Sequence, residues 1–425
     1  MREECLWLKT SKEEKSTYAT LEGKITSDVC VIGGGITGLS TALHLAEGNT
    51  STVVIDSESI PTGGSSANVG YVNAGLWLPP LDIVKLLGDS DGERINNLLG
   101  NAPSEVFKLI DRYDIQCDDT RTGSLHMAHS ASGMKDLERR CEQFQQRGAP
   151  VELLQGQKST EATGSSHIHG ALLDRRAGTI NPAAYTRGLA RAAESEGAKL
   201  YTHTPAIRID RKGDKWEVET PKGRIHCDRI VLATNAYTEE DWNAVKEHFF
   251  PGYYCQVASA PLGEAAKHIL PGRQGAWDTR TVLSSVRRDV EGRLMLGTLG
   301  RGETKPRAFI RAWANRMQHI YYPELDKMEW EYTWTGRMAF TPDHMLRLFS
   351  PAQGILAVAG YNGRGVTTGT VVGKGFAKLI HENSDEGLPL PIRHSRPVSA
   401  IRARSFAYEN GFTLYHAGQC LRIMT

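Results

Sequence analysis

The sequence predicts an α/β protein of two interleaved domains, one Rossmann-like on a parallel sheet and one α+β on an antiparallel or mixed sheet. Three observations predict it. First, Asp28–Ile32 (DVCVI), a glycine turn, an apolar-periodic helix from Leu39 to Glu47 and Thr52–Ile55 (TVVI) read as a βαβ unit. Short apolar runs of this kind suit strands buried on both faces. Second, 425 residues is too long for one compact core. Third, later strand signals differ in kind: residues 251–300 carry β-like runs broken by turns, and Trp330, Tyr332 and Trp334 alternate at period two.

The elements between follow from local chemistry. Residues 1–26 form a polar lead-in. Residues 57–80 are rich in Gly, Ser, Asn and Pro and read as a long functional loop. Residues 86–150 read mainly as polar helices. Asn181 is a good N-cap and Pro182 a good first-turn residue for a helix stopping at Gly197. Strand signals follow near 199–209, 215–220 and 224–233. Ile355–Ala359 is a last buried strand, followed by a glycine turn and a helix from Val366 to Ile380. The expected division gives 27–85, 151–235 and 335–390 to the nucleotide-binding domain. Residues 86–150 and 236–334 form the substrate-binding domain, and 391–425 a C-terminal tail.

Composition excludes several classes. Net charge is +1 and no basic stripe interleaves with aromatics, so nucleic acid is not an expected partner. No apolar run reaches the ~20 residues of a membrane span. The seven cysteines are scattered without a C-x-x-C pair, as in a reducing compartment. The N-terminus is charged and lacks an apolar signal core, and a cytoplasmic enzyme is expected. His167 and His169 have ligand-like spacing but no third ligand, so a surface loop and no metal is the expectation.

Gly33-Gly34-Gly35-Ile36-Thr37-Gly38 fits G-x-G-x-x-G through Gly33, Gly35 and Gly38. These glycines serve a tight turn, close approach to a pyrophosphate, and helix–strand packing. The following helix aims free N–H groups at the phosphates. Asp56, about twenty residues on, is placed for ribose hydroxyls, with Ser57 beside it. The fingerprint alone does not separate FAD from NAD.

Gly63-Gly64-Ser65-Ser66-Ala67-Asn68-Val69-Gly70 resembles the flavin-binding loop of the D-amino-acid oxidase superfamily. Arg229-Ile-Val-Leu-Ala-Thr-Asn-Ala-Tyr-Thr238 resembles its strand leaving the FAD domain, and Gly360-Tyr-Asn-Gly-Arg-Gly-Val366 its C-terminal flavin loop. With Trp334-x-Gly-Arg337, these motifs are most similar to the γ-glutamylputrescine oxidase subgroup. The likeness runs from Asp28 to about Gln419. One departure is Ser66, where the family often has Gly.

The resemblance implies a glutathione-reductase-like FAD domain. It assigns FAD contacts to Gly64, Ser65, Asn68 and Gly70, to Ala206, Thr234 and Asn235, and to Gly360, Gly363, Arg364, Gly365, Val366 and Thr367. It places Trp334, Arg337, Asn362 and Arg364 at the catalytic end. The cysteine that tethers flavin in sarcosine oxidases falls on Gly336, so FAD is expected to be non-covalent. The arginine that clamps an α-carboxylate in glycine oxidases falls on Met338, and the sarcosine-oxidase lysine on Thr367.

An amine, or an acid more distant than an α-amino acid, is therefore the expected substrate. The C–H beside nitrogen gives hydride to flavin N5, the imine hydrolyses to an aldehyde plus amine or ammonia, and electrons pass to O2 or another acceptor. The alternatives are oxidation of an amino acid or N-substituted glycine, a second-nucleotide reductase for which no second fingerprint exists, and a non-catalytic flavoprotein or subunit. The helix after Gly365 carries a positive N-terminus suited to reduced flavin. Gly365, Gly369 and Gly373 give it a smooth packing face. Asp343 reads as a turn carboxylate. Met295 stands where a strand lysine activates oxygen in sarcosine oxidases, leaving Arg287, Arg337 or Arg364 for that role.

Overall fold

A computed structural model describes residues 5–238, 243–326, 328–393 and 395–420. The first few residues of the expected lead-in and the last few of the tail lie outside these.

Two eight-stranded sheets organise the chain. The first centres on Gly23–Ile32, flanked by Thr52–Ile55 and then Lys199–Tyr201 on one side, and by Gly223–Leu232, Ile355–Ala359 and Arg347–Phe349 on the other. Its central strands are parallel, and the short edge strand at 347–349 runs antiparallel to Ile355–Ala359. A hairpin, Arg208–Lys212 and Lys215–Glu219, adds to Gly223–Leu232. Val31, Val54 and Val231 point into one apolar layer with the helix Ile36–Glu47, and Cys30, Val53 and Ile230 into a layer on the opposite face. Alternating side chains thus bury both faces, which is why these runs are continuously apolar.

The second sheet runs Trp330–Phe340, Phe250–Pro261, Arg293–Leu299, Ser284–Arg288, Gly275–Asp278, Ser124–Ala128, Gly170–Asp174 and Val151–Leu154. It is antiparallel except where Gly275–Asp278 runs parallel to Ser124–Ala128. The helix Arg307–Tyr321 covers one face through Ile310, Trp313 and Met317.

The Asn181 cap is as expected: its Oδ1 accepts from the N–H groups of Ala183 and Ala184, both at 3.1 Å. The helix Gly365–Glu382 lies against Ile36–Glu47. A Cβ on Gly373 would stand 2.6 Å from Ser40 Cβ and 2.7 Å from Thr37 O, and one on Gly369 2.8 Å from Thr37 Oγ1. The small-residue face expected from the spacing is a packing face at these positions, while Gly365 meets nothing closer than Tyr361 at 3.4 Å.

Several sequence expectations are corrected. Val151–Leu154 and Gly170–Asp174 belong to the second sheet, although 151–235 was assigned to the nucleotide domain. Helices Asp89–Gly100 and Ala102–Arg112, assigned to the substrate domain, bury Ile95, Leu99, Val106 and Leu109 in the apolar layer of the first sheet. The boundary at 334/335 cuts through a single strand. The polar 86–150 segment also holds the strand Ser124–Ala128, too short to show alternation. The tail contains a helix, Ile401–Cys420. The lead-in is not merely polar, because Cys5, Leu6 and Trp7 are buried.

Candidate functional site

One large cavity, about 1450 Å³, runs from the glycine fingerprint to the inner end of the second sheet. Ordinary ligand sites occupy ~300–1,000 Å³, so this one has room for a dinucleotide and a substrate together.

At the nucleotide end its wall is Gly33, Gly35, Ile36, Thr37, Asp56 and Ser57. Gly33 has φ +109°, a conformation open to glycine. A Cβ there would press on the Ala233 carbonyl carbon at 3.1 Å, so the two parallel strands end close together. Gly35 caps the fingerprint helix, whose first N–H, from Ile36, donates to Ser65 Oγ at 3.1 Å. Gly38 is off the wall: a Cβ would collide with the Gly33 carbonyl oxygen, and its role is packing. Asp56 Oδ2 accepts Gly34 N–H at 2.8 Å and Oδ1 accepts Glu58 N–H at 2.9 Å. Burial raises the Asp56 pKa, and these two bonds oppose the rise. A glycine cradle that any Cβ would fill, a helix N-terminus and a carboxylate at the strand end fit the ADP half of FAD.

The loop over this cradle is braced from below. Gly64, Ser65 and Asn68 line the cavity. Asn68 Nδ2 donates to Gly64 O at 2.8 Å, and its Oδ1 accepts Gly70 N–H at 2.8 Å. Gly70 (φ +75°) is not on the wall; a Cβ there would strike Ile180 O and the Arg287 guanidinium. Arg287 Nη1 donates to Val69 O at 2.8 Å and Ile180 O at 2.7 Å, making it a clasp of this loop. Ser66 is accommodated by donating to Gly63 O at 3.3 Å. Trp7, from the supposed lead-in, donates Nε1–H to Asn68 O at 2.8 Å. Leu6-Trp7-Leu8 inside a charged run was the only signal of this.

Trp334 is a correction. It lies off the cavity, 1% exposed, with its ring edge-on to Trp7 at 6.2 Å. Its Nε1–H donates to Ala67 O at 2.9 Å, an oxygen that also accepts Gln256 Nε2–H at 3.2 Å. It supports the loop and touches no reacting group. Trp330 is core, its Nε1–H donating to Asn315 Oδ1 at 2.7 Å. Asp343 is a structural carboxylate, bonded to Arg347 at 2.8 Å. His167 and His169 are both exposed.

The C-terminal glycine turn closes on the strand leaving the first sheet. Asn235 Oδ1 accepts Gly360 N–H at 3.0 Å. Ala206, Thr234, Asn235, Gly363, Gly365 and Val366 are on the wall. Gly360 (φ +80°) is off it, packed on Thr341. Asn362 itself is on the wall. Its Oδ1 accepts Thr341 N–H at 2.9 Å and its Nδ2 donates to Gly360 O at 2.6 Å, so the amide is engaged within the turn. Thr367 too is off the wall, donating Oγ1–H to Asn73 O at 3.0 Å.

The inner end is where sequence reasoning was weakest. Met338 lines it, its sulfur 3.3 Å from where a Gly363 Cβ would stand. Arg337 is exposed at the rim, its guanidinium 4.7 Å from the Tyr237 ring centre. Arg364 is buried behind the wall, 4.5 Å from the Trp77 ring centre and 5.1 Å from that of Trp277. Burial, with Arg140 nearby, pulls its pKa down to about 9, which leaves it cationic at neutral pH. Trp77, Trp277, His126, Asp136 and Arg140 line this end and carry no motif. Arg140 donates to Asp136 at 2.7 Å and to Trp77 O at 2.9 Å. His126 stacks 5.1 Å from Trp277. Burial, then Arg140 and Arg364, pulls its pKa down to about 3.

Fold and cavity together define a dinucleotide-binding protein of the Rossmann class. The family described as FAD dependent oxidoreductase (DAO) matches residues 28–379, and the chain belongs to it. It is 28% identical over 382 residues to the probable oxidoreductase OrdL of Rhizobium meliloti, covering 89% of each chain. It is 27% identical over 380 residues to the gamma-glutamylputrescine oxidoreductase of Escherichia coli, covering 88% of each. Among solved structures, glycine oxidase from Bacillus cereus superposes with TM-score 0.70 at 21% identity, covering 87% of this chain and 100% of that one. The chain is thus an FAD-dependent enzyme, similar to relatives named for an amine and an amino acid. No described helix is long and apolar enough to cross a membrane.

Proposed function

We propose that the chain oxidises the C–N bond of a secondary or terminal amine, of γ-glutamylputrescine-like type, releasing an aldehyde and an amine or ammonia after imine hydrolysis. The observation that carries this is the uncharged wall beside Gly363, where Met338 stands and Thr367 is turned away onto Asn73. At these two positions an α-carboxylate would meet no cation, and losing a hydrogen bond to a charged group costs ~1.5–3 kcal/mol. The likeness to the gamma-glutamylputrescine oxidoreductase supports the same reading.

FAD, when bound, supplies the acceptor for the hydride leaving the carbon beside nitrogen. The chain's own part is positional. The fingerprint helix and Asp56 hold the ADP half, and the clasp of Arg287, Trp7 and Trp334 keeps the 63–70 loop in place over it. Trp77 and Trp277 wall the inner end, and their rings are engaged by the Arg364 guanidinium at 4.5 and 5.1 Å. Tyr71 is not a proton carrier, since its hydroxyl donates to Ala276 O at 2.6 Å. Arg337, at the rim, meets the substrate on entry.

Anaerobic mixing with candidate amines tests this. Flavin bleaching should be faster with γ-glutamylputrescine or N-methylated amines than with glycine or D-alanine. Preferential bleaching by the α-amino acids overturns it and favours the amino-acid alternative.

A further inference from the structure

The helix Ile401–Cys420 lies beyond residue 379, where the match to the family ends. It nevertheless builds a wall of the cavity, through Ile401, Ala407, Tyr408, Gly411, Phe412 and Tyr415. One stripe of the helix is anchored on the second sheet. The Tyr408 ring lies 5.1 Å from that of Phe250 and 5.4 Å from that of Phe340, with Phe412 edge-on to it at 5.3 Å. Ser405 Oγ donates to Pro251 O at 2.9 Å. Met338 and Leu299 pack on the same apolar cluster, so the helix is continuous with the wall beside Gly363. Arg280, on the same cavity wall, is paired with Asp278 at 2.6 Å.

Ala407 and Gly411, one turn apart, form the exposed edge of the helix wall. Gly411 stands mid-helix, where glycine is the poorest helix former after proline. The glycines of Gly365–Glu382 are explained by Thr37 and Ser40 pressing on them, but a Cβ on Gly411 would have no described atom within 4 Å. No packing calls for this glycine, and the space beside it belongs to the cavity.

We propose that the helix Ile401–Cys420 closes an apolar compartment that holds the stem of the amine, and that Gly411 sets how long a stem it takes. The inference rests on the amine-oxidoreductase reading and narrows it to amines carried on an extended alkyl chain. The stem lies along Leu299, Phe340, Tyr408 and Phe412, and its far end passes the Ala407–Gly411 edge. Each methylene withdrawn from water against these side chains tightens binding. A side chain at position 411 would take the place of the far methylenes, while the nitrogen end, near Met338, keeps its surroundings. The helix thus determines specificity without touching the reacting atoms.

The test uses FAD-loaded protein and two readouts. In the first, kcat/KM is compared for N-methyloctylamine and N-methylpropylamine. Wild type should prefer the octyl amine. Gly411→Leu should lower the octyl-to-propyl ratio about tenfold, the worth of roughly two buried methylenes, and should do so through KM. A general folding defect would depress both amines together and leave the ratio where it was. In the second, octyltrimethylammonium and propyltrimethylammonium are titrated while the flavin absorbance is followed. Their nitrogen has no lone pair with which to form an imine, so binding is read without turnover. Wild type should bind the octyl compound more tightly, and Gly411→Leu should lose about tenfold of that advantage. A wild type indifferent to stem length, or a Gly411→Leu protein with the wild-type ratio in both readouts, overturns the proposal. Should Gly411→Leu fail to hold FAD, the wild-type pair and Gly411→Ala, which should shift the ratio in the same direction by a smaller factor, decide it. If neither amine bleaches the flavin while the quaternary pair still separates wild type from variant, the oxidation reading fails and the compartment stands.

Discussion

The hydroxyl of Thr37, in the first turn of the fingerprint helix, lies 2.6 Å from the hydroxyl of Tyr361, which comes from the glycine turn 324 residues later. Both groups are buried, and both residues line the cavity. The contact joins the two ends of the FAD-binding unit at the point where their helices begin to pack.

Removing one partner leaves the other hydroxyl buried without its bond, at a cost of ~1–3 kcal/mol. Tyr361→Phe and Thr37→Val should each lower the urea midpoint, and the double variant should lose less than the sum. Additive losses would show that the hydroxyls do not act as a pair.

Gly373→Ala should destabilise by ~1–3 kcal/mol through overpacking, since its methyl meets the Thr37 carbonyl and Ser40 Cβ on the opposing helix. Gly365→Ala, with only ordinary contact to Tyr361, should change stability far less. Thermal unfolding of the two variants side by side checks the contrast, and FAD retention should follow the same order.

Trp334→Phe keeps an aromatic ring, smaller than the indole, and removes the N–H. Ala67 O retains Gln256 as donor, so the loss should be ~0.5–1.5 kcal/mol of stability with weaker FAD binding and oxidation still present. Abolished flavin reduction with FAD fully bound would instead return Trp334 to the reacting end.

His126 supplies a pH dependence. Its folded pKa, about 3, lies below its unfolded value. Between the two the unfolded chain binds the extra proton, so the stability owed to neutral His126 is present above ~6.5 and is lost as pH falls toward 3. His126→Gln should flatten the stability–pH slope in that window by up to ~1.4 kcal/mol per pH unit. An unchanged slope in urea titrations at pH 4–7 would count against it.

FAD should be non-covalent, and acid precipitation should leave yellow flavin in the supernatant. At Gly336, where the tethering cysteine of the sarcosine oxidases falls, a Cβ would collide with the Tyr254 hydroxyl. Colour retained in the pellet would contradict this.

What the sequence by itself determined is the nucleotide end. Gly33, Gly35, Ile36 and Asp56 lie on the cavity wall because a βαβ phosphate cradle is local: its strand, turn and helix are contiguous, and backbone sterics dictate which positions are glycine. The clasp and the inner end were decided only by tertiary structure. Trp7 and Trp334 reach one loop from chain positions 327 residues apart, and neither carries a local signal of the carbonyl it will meet. Trp77, His126 and Trp277 converge likewise from the long loop and from two paired strands. Alternation tells which residues share a face of a strand, but not whether that face meets a cavity or a core. That is why Trp334 was expected at the site and lies beneath it, while Arg364, named from its motif, is near the site by way of two indoles that no motif announced.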